Sequence, residues 1–294
     1  MTGSEAISVI VPTTASAQRS ETLRRALASL RAQEGARAIP IVVANGPKRD
    51  AAVMAELRAD TSIRLIERDA GNLPLALAAG REAVDSELFG VLDDDDEYTH
   101  DALAVRAAAL AADPASDVVV TNGWWGAGGA DEPFLPGIEA FERDPLGALL
   151  AINWLRSCSG MYRAGRFGAD MFAAMPAYLE WTYLAIRIGL ERRAAFLACP
   201  TFRNHLAADS LSGSAEYARG TPAALRRILA LELSPRLRRH YRDAYLAALH
   251  SASLLELRER NRGAAWRYHV RSLAGWRGLR YLSHTRHLVA PGTA

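Results

Sequence analysis

Short apolar runs cut off by polar turns alternate with longer stretches in which apolar side chains recur every three or four positions, and the alternation persists through Asn122. Ala6-Ile7-Ser8-Val9-Ile10-Val11 meets Pro12-Thr13-Thr14, so a first strand ends near Thr13. Leu23, Ala26, Leu27 and Leu30 then share one face of a helix opened by Ser20 or Glu21. Residues 39–44 read as a second buried strand, closed by the Asn45-Gly46-Pro47 turn. The same pattern predicts helices over 51–57, 73–83 and 101–112, and strands over 63–67, 88–92 and 117–122. Strands and helices alternating at this interval imply βαβ units, hence a mostly parallel sheet with right-handed crossovers.

Beyond Asn122 the rhythm fails. Residues 123–129 read as a glycine-rich loop carrying Trp124 and Trp125, either a binding lip or aromatics packed under a hairpin. Residues 145–163 hold a helix and a strand near 159–162, and residues 178–189 form a helix with Glu180 in its first turn, where the helix dipole favours negative charge. Residues 194–197 suggest an edge strand leading into a polar loop that runs through Ser214. From Pro222 onward the chain is helical, with fourteen arginines against four acids. That tail is either a membrane-surface patch, with Trp266, Trp276, Tyr268, Leu279 and Tyr281 beside the arginines, or a helical cap whose arginines are solvated or paired. No nucleic-acid reader motif accompanies the charge, so nucleic acid is not an expected partner.

Composition narrows the class. In 294 residues, 50% are apolar and the net charge is only +2, which suits a soluble globular chain with a large core. Lys48 is the only lysine, so the arginine excess resembles a genomic nucleotide bias more than a nucleic-acid surface. Cys158 and Cys199 lack metal-ligand spacing and read as reduced core thiols. No apolar span has membrane length and the N-terminus lacks an export signal, which makes the cytosol, with a possible peripheral position at the inner face of a membrane, the expected location.

The densest chemistry follows the strand over 88–92, where Asp93-Asp94-Asp95-Asp96 stand in a row. Carboxylates crowded at the end of a buried strand repel one another unless a cation or a set of donors neutralises them, and a hard divalent ion suits such oxygen ligands. A solvated acidic turn is the plain alternative. An aspartyl phosphatase also places Asp-x-Asp after a strand, but Glu97 stands where Thr or Val belongs.

Ser8-Val9-Ile10-Val11-Pro12-Thr13-Thr14, a second strand ending in a polar turn, and Leu92-Asp93-Asp94-Asp95-Asp96 together resemble the family 2 glycosyltransferases. Ala76-Leu77-Ala78-Ala79-Gly80 is similar to that family's Ala-Leu-Asn-x-Gly helix, with Ala78 in place of Asn. The likeness covers residues 6–214 and implies an α/β GT-A fold, a mostly parallel twisted sheet flanked by helices; the helical C-terminal extension lies outside it. The implied organisation is a catalytic domain over 1–214, with a nucleotide-sugar half (1–122) and an acceptor half (123–214), followed by a basic helical extension over 215–294.

The resemblance implies inverting, metal-dependent transfer from a nucleotide-sugar donor to a saccharide, lipid-linked or other hydroxyl acceptor, with Mg2+ or Mn2+ as cofactor and bacterial polysaccharide or glycolipid assembly as context. By position, Pro12, Thr13 and Thr14 border the nucleoside, and Asn45 takes the place of a base-reading Asp. Asp93 and Asp94 approach ribose or diphosphate, Asp95 holds the metal, His205 is a further metal ligand and Arg203 a phosphate contact. Glu180-Trp181 matches the family's Glu-Asp-Trp with one acid missing, which makes Glu180 the general base and Asp170 its reserve. Trp124, Trp125, Trp181 and the region 154–162 belong to the acceptor side. Two other readings stay open. A nucleotidyltransferase lacks its Gly-rich basic loop here, since Thr14-Ala15-Ser16-Ala17-Gln18-Arg19 is not one; a binding module that lost transfer would explain Asn45 and the missing acid.

Overall fold

In the computed structural model, which describes residues 6–125, 132–205 and 214–289, every apolar run of the first half is a strand. β1 (Ala6–Thr13), β2 (Arg37–Asn45), β3 (Arg64–Arg68) and β4 (Leu88–Val91) pair in parallel in the order β3-β2-β1-β4. Ile10 thereby lies opposite both Ile41 and Val91. α1 (Ser20–Arg31), α2 (Ala51–Ala59) and α3 (Leu73–Glu82) make the crossovers. α1 buries Leu23, Ala26, Leu27 and Leu30, the stripe that its spacing predicts. On α3, a Cβ at Gly80 would lie 2.4 Å from Ile10 Cγ2, so only glycine lets this helix approach the sheet so closely.

The sheet continues through β5 (Glu97–Tyr98), β6 (Val118–Trp125), β7 (Glu132–Pro133), β8 (Gly160–Arg163) and β9 (Ala194–Asn204), in the order β4-β8-β6-β9-β5. β8 is antiparallel to both its neighbours, β6 and β9 are parallel, and β7 pairs antiparallel to the end of β6. α4 (Ala102–Ala112), α5 (Pro145–Ala148), α6 (Ala169–Ala173) and α7 (Glu180–Glu191) complete this part. The expected fold class is the observed one: mixed α/β with flanking helices and C-terminal helices.

Four local expectations change. Gly123, Trp124 and Trp125 extend β6 instead of opening a loop, and the remainder of the expected loop, 126–131, lies outside the described residues. Gly123 is there because a Cβ would lie 2.3 Å from the Phe202 ring of the neighbouring strand. β9 is eleven residues long rather than four: residues 194–197 pair with β6, as expected of an edge, and the strand runs on to a far end flanked at Phe202 and Arg203 by β5. The β6–β9 register jumps from Thr121↔Leu197 to Asn122↔Pro200, so Ala198 and Cys199 bulge outward, and Cys199 is exposed rather than a core thiol. Trp154 is fully buried, with its Nε1 donating to the Pro145 carbonyl at 2.8 Å, and packs edge-on against Phe196 instead of lining an acceptor surface.

The chain divides into two compact units, Met1–Met175 with Glu180–Ala207, and Pro176–Leu179 with Ala208–Ala294. The second holds α8 (Ala215–Leu229), α9 (Pro235–Arg258), α10 (Arg262–Ser272), a 3-10 helix (Trp276–His284) and α11 (Thr285–Val289). Ser214, Ser234 and Asn261 cap the three long helices by accepting backbone N–H bonds. Its interior includes Ile228, Leu237, Leu246, Leu249, Ala265 and Leu288. Also inside are His269 and His284, with the His284 ring 5.2 Å from His269 and 5.0 Å from His250. No helix among the described residues is long and apolar enough to cross a membrane.

Candidate active site

The chain leaves β1 toward β2 on one side and later returns with β4 on the other, so the carboxyl ends of β1 and β4 flank a topological switch point, where open α/β sheets leave a crevice for ligands. Thr13 closes β1 at this place, and the four aspartates follow β4. Gly90, within β4, lies where a Cβ would sit 2.8 Å from the Tyr98 hydroxyl, and that hydroxyl donates to the Val91 carbonyl at 2.8 Å. The segment between β4 and β5 is thus pinned at its base while its carboxylates turn outward to partners.

Those partners come from across the first unit. Thr13 Oγ1 donates to Asp94 Oδ2 at 2.6 Å, and Arg19 Nη1 reaches both Asp94 Oδ1 (3.2 Å) and Asp95 Oδ2 (2.6 Å). Arg25 Nη2 donates to the Asp95 carbonyl at 2.7 Å, and its Nε forms an ion pair with Glu97 at 3.1 Å. Ser157 Oγ donates to Asp93 at 2.6 Å. Asp96, buried, accepts from Asn204 Nδ2, from the His205 backbone N–H at 3.1 Å and from the Cys158 thiol at 3.3 Å. Behind them Arg106, wholly buried, donates to the Cys158 carbonyl and to Thr201 Oγ1, and stands over the Tyr98 ring at 4.3 Å.

The charge balance within the cluster is uneven. Asp94 and Asp95 share the Arg19 guanidinium, whereas Asp93 and Asp96 have neutral donors. Burial, followed by the charge of Asp96, holds the Asp93 carboxyl well above the ordinary carboxylate range. Burial, followed by Asp95, raises Asp96 to about 6, although three donors pull it the other way. Carboxyl oxygens of Asp93, Asp95 and Asp96 lie within 4.8 Å of one another. Three hard oxygen donors, two of them held by neutral groups and only Asp95 by Arg19, are the chemistry that Mg2+ or Mn2+ takes. The residues therefore fit a divalent ion.

The other expected site residues are distributed as follows. Pro12 is buried in β1 opposite Val43, and Thr14 is exposed just beyond the strand. Asn45 ends β2, and its Oδ1 accepts the Asn72 N–H at 3.2 Å, tying the turn to the residue that caps α3. Arg203 lies on β9 between Trp124 and Glu97. The expected metal pair of Asp95 and His205 is not the set brought together: His205 Nε2 is 2.6 Å from Glu97, a residue outside the aspartate trio. Trp124 and Trp125 are half-buried at the end of β6, and Trp125 packs on Phe134 (5.4 Å) beneath the Arg156 guanidinium. Glu180 and Trp181 open α7 and are half-buried. Before them, Tyr178 (φ 65°) and Leu179 (φ 56°) both occupy the left-handed region, a costly backbone for side chains of this size. Asp170 is exposed on α6.

Sequence reasoning placed Asp96 in the acidic row without giving it a role, and missed Arg19, Arg25, Ser157, Cys158 and Asn204 as partners of the cluster. One signal was available: Arg19 is the only basic residue in the turn after β1, at the same end of the sheet as the acids.

Comparison with known proteins agrees with this layout. Residues 8–170 match the family model described as glycosyl transferase family 2. Among solved structures, S. aureus TarS 1-349 in complex with UDP-GlcNAc superposes with a TM-score of 0.61 at 16% identity, covering 97% of this chain and 88% of that one. The same protein in complex with UDP gives 0.58 at 14% identity, covering 96% and 91%. Against the longer TarS structure the TM-score is 0.59 at 15% identity, and this chain spans 53% of it. No curated protein sequence matches. The match to the family model extends over more than half of the chain and includes the strands that bear Thr13 and the aspartates, so this chain belongs to glycosyl transferase family 2.

Proposed function

We propose that this chain transfers a sugar from a nucleoside-diphosphate donor to a hydroxyl acceptor, with inversion at the anomeric carbon. The observation that carries the reading is the aspartate cluster at the β1–β4 switch point, walled by Thr13, Arg19 and Ser157, in a chain of this family. Support for the donor class comes from TarS, whose structures of the same fold hold UDP and UDP-GlcNAc. Asp93, Asp95 and Asp96 would hold Mg2+ or Mn2+, which supplies Lewis-acid stabilisation of the charge on a departing diphosphate.

In this proposal the protein's own groups divide the work. Thr13 and Arg19 fix the Asp94 and Asp95 carboxylates, and Arg19 adds a positive charge beside the place where the diphosphate leaves. Glu180 takes the acceptor's hydroxyl proton as that oxygen bonds to the anomeric carbon and the carbon–oxygen bond to the diphosphate breaks. The left-handed pair Tyr178-Leu179 supports this role, because costly backbone persists where a side chain has to be aimed. Trp124, Trp125 and Trp181 provide aromatic faces for the acceptor, which in a bacterial setting would be a growing polysaccharide or a glycolipid.

The grip of Arg19 on Asp95 favours one second reading, in which the guanidinium rather than a metal ion meets the diphosphate. A thermal-shift panel of UDP, GDP, dTDP and CMP sugars, with and without Mn2+, separates the two. At about a hundred times Kd the right donor stabilises the fold by about 2.7 kcal/mol, a rise of roughly 5–10 °C for a chain of this size. Under the metal reading that rise requires Mn2+. A rise independent of Mn2+ and abolished by Arg19→Ala favours the guanidinium, and no rise with any donor removes the transferase proposal.

A further inference from the structure

The last helical turns of the second unit carry an apolar stripe that stays exposed among the described residues. Five of the seven large hydrophobic side chains most exposed among the described residues fall between Val270 and Val289. Three of them are Trp276, Leu279 and Leu282, 76%, 57% and 53% exposed, on the 3-10 helix Trp276–His284. A 3-10 helix has three residues per turn, so positions three apart eclipse one another and these side chains form a single outward ridge. Gly278, Tyr281 and His284 form the inward one: Gly278 and His284 are buried, and a Cβ at Gly278 would lie 2.4 Å from the Ser272 carbonyl. Pressed against the end of α10 at that point, the helix cannot roll its apolar ridge inward.

The third ridge is basic. Arg277 and Arg280 follow Trp276 and Leu279 by one position, and each guanidinium lies over a neighbouring ring, Trp276 at 4.9 Å and Tyr281 at 5.0 Å. Both also approach Asp243, so one carboxylate serves two arginines, and Arg280 remains half exposed. Over residues 214–289 fifteen arginines face five acids, a surplus of ten positive charges with the histidines neutral. An exposed apolar ridge that includes a tryptophan, flanked by arginines on a strongly cationic unit, matches the chemistry of an anionic bilayer surface: the ring and leucines enter the headgroup boundary while the guanidinium groups meet lipid phosphates.

We infer that the Trp276–Leu279–Leu282 ridge is a docking surface for an anionic membrane leaflet. The assignment does not depend on the transfer reaction. Its test is flotation of the full chain with vesicles of phosphatidylcholine alone or of phosphatidylcholine mixed with phosphatidylglycerol, together with tryptophan emission. The full chain is expected to float with the anionic vesicles only, with emission shifted to the blue, and to lose binding as salt is raised. Replacing the ridge (Trp276→Ser, Leu279→Ser, Leu282→Ser) is expected to weaken partitioning at least ~tenfold while leaving circular dichroism unchanged. The double change Arg280→Ser, Arg286→Ser tests the charge without touching the ridge and is expected to cost roughly fivefold per arginine. Absence of flotation, or flotation indifferent to both sets of changes, overturns the inference. So does sedimentation showing a dimer that the ridge substitutions dissolve, because the ridge would then belong to a second copy.

Discussion

Two groups of like-charged ionisable side chains lie in the two units, and they face the same difficulty in opposite ways. In the first, Asp93 and Asp96 are pushed up toward the neutral acid, but every carboxylate around them has a donor: Thr13, Arg19, Ser157, Asn204 or the His205 N–H. In the second, burial pushes His250, His269 and His284 down toward the neutral imidazole. Two of those rings bond to hydroxyls, His284 to that of Ser253 and His269 to that of Thr285. The difference teaches what a prepared site looks like. Acids crowded beside donors and an arginine keep an unmet demand for positive charge, whereas histidines crowded among hydroxyls only need to stay neutral.

If that contrast is sound, the largest effect on turnover belongs to the first unit. Glu180→Gln is expected to slow transfer by roughly a hundredfold to ten-thousandfold while leaving donor affinity within about twofold, read by steady-state kinetics and calorimetry. Gly123→Ala, which drives a methyl into the Phe202 ring, is expected to cost about 1–3 kcal/mol in urea unfolding, because β6 and β9 have no room to part. A smaller effect distinguishes the two groups by the sign of their pH response. Asp96 binds its proton more tightly folded than unfolded, so without metal its contribution to stability is fully present below the unfolded value near 4 and is lost as pH rises through about 6. The histidines bind protons less tightly folded, so stability of the second unit is lost as pH falls below 6.5, where the unfolded chain gains protons first. Hydrogen exchange followed from pH 5 to pH 8 is expected to show the segment after β4 loosening toward high pH and α9 and α10 loosening toward low pH. Parallel trends would erase the contrast. The smallest change is expected at exposed arginines of the helical unit: Arg236→Ala and Arg239→Ala are each expected to alter stability by less than about 0.5 kcal/mol.

The sequence made the first half of the sheet legible because its strands end at strong punctuation, Pro12-Thr13-Thr14 and Asn45-Gly46-Pro47, and because the stripe of α1 is regular. It also exposed the aspartates. It could not show what surrounds them, since Arg19 and Asn204 stand 76 and 108 positions from the acids they contact, and only the folded chain brings them together. β9 was hidden for a different reason. Pro200 and the two-residue bulge at Ala198-Cys199 interrupt its alternation, so only its first four residues look like a strand. Gly123 misleads in the same region: glycine there signals a ring pressed on the backbone, not a flexible loop.

The central claim is that Asp93, Asp95 and Asp96 together demand a divalent cation at the β1–β4 switch point. Electron paramagnetic resonance of Mn2+ titrated into the full chain, alone and with UDP or GDP, measures this without relying on turnover. The account predicts binding at neutral pH that tightens with one of the nucleotides, weakens about tenfold or more in Asp95→Asn, and weakens likewise as pH falls below about 6, where Asp96 takes up its proton. Equal Mn2+ affinity in the wild type and in Asp95→Asn, unmoved by nucleotide or by acid, would contradict it.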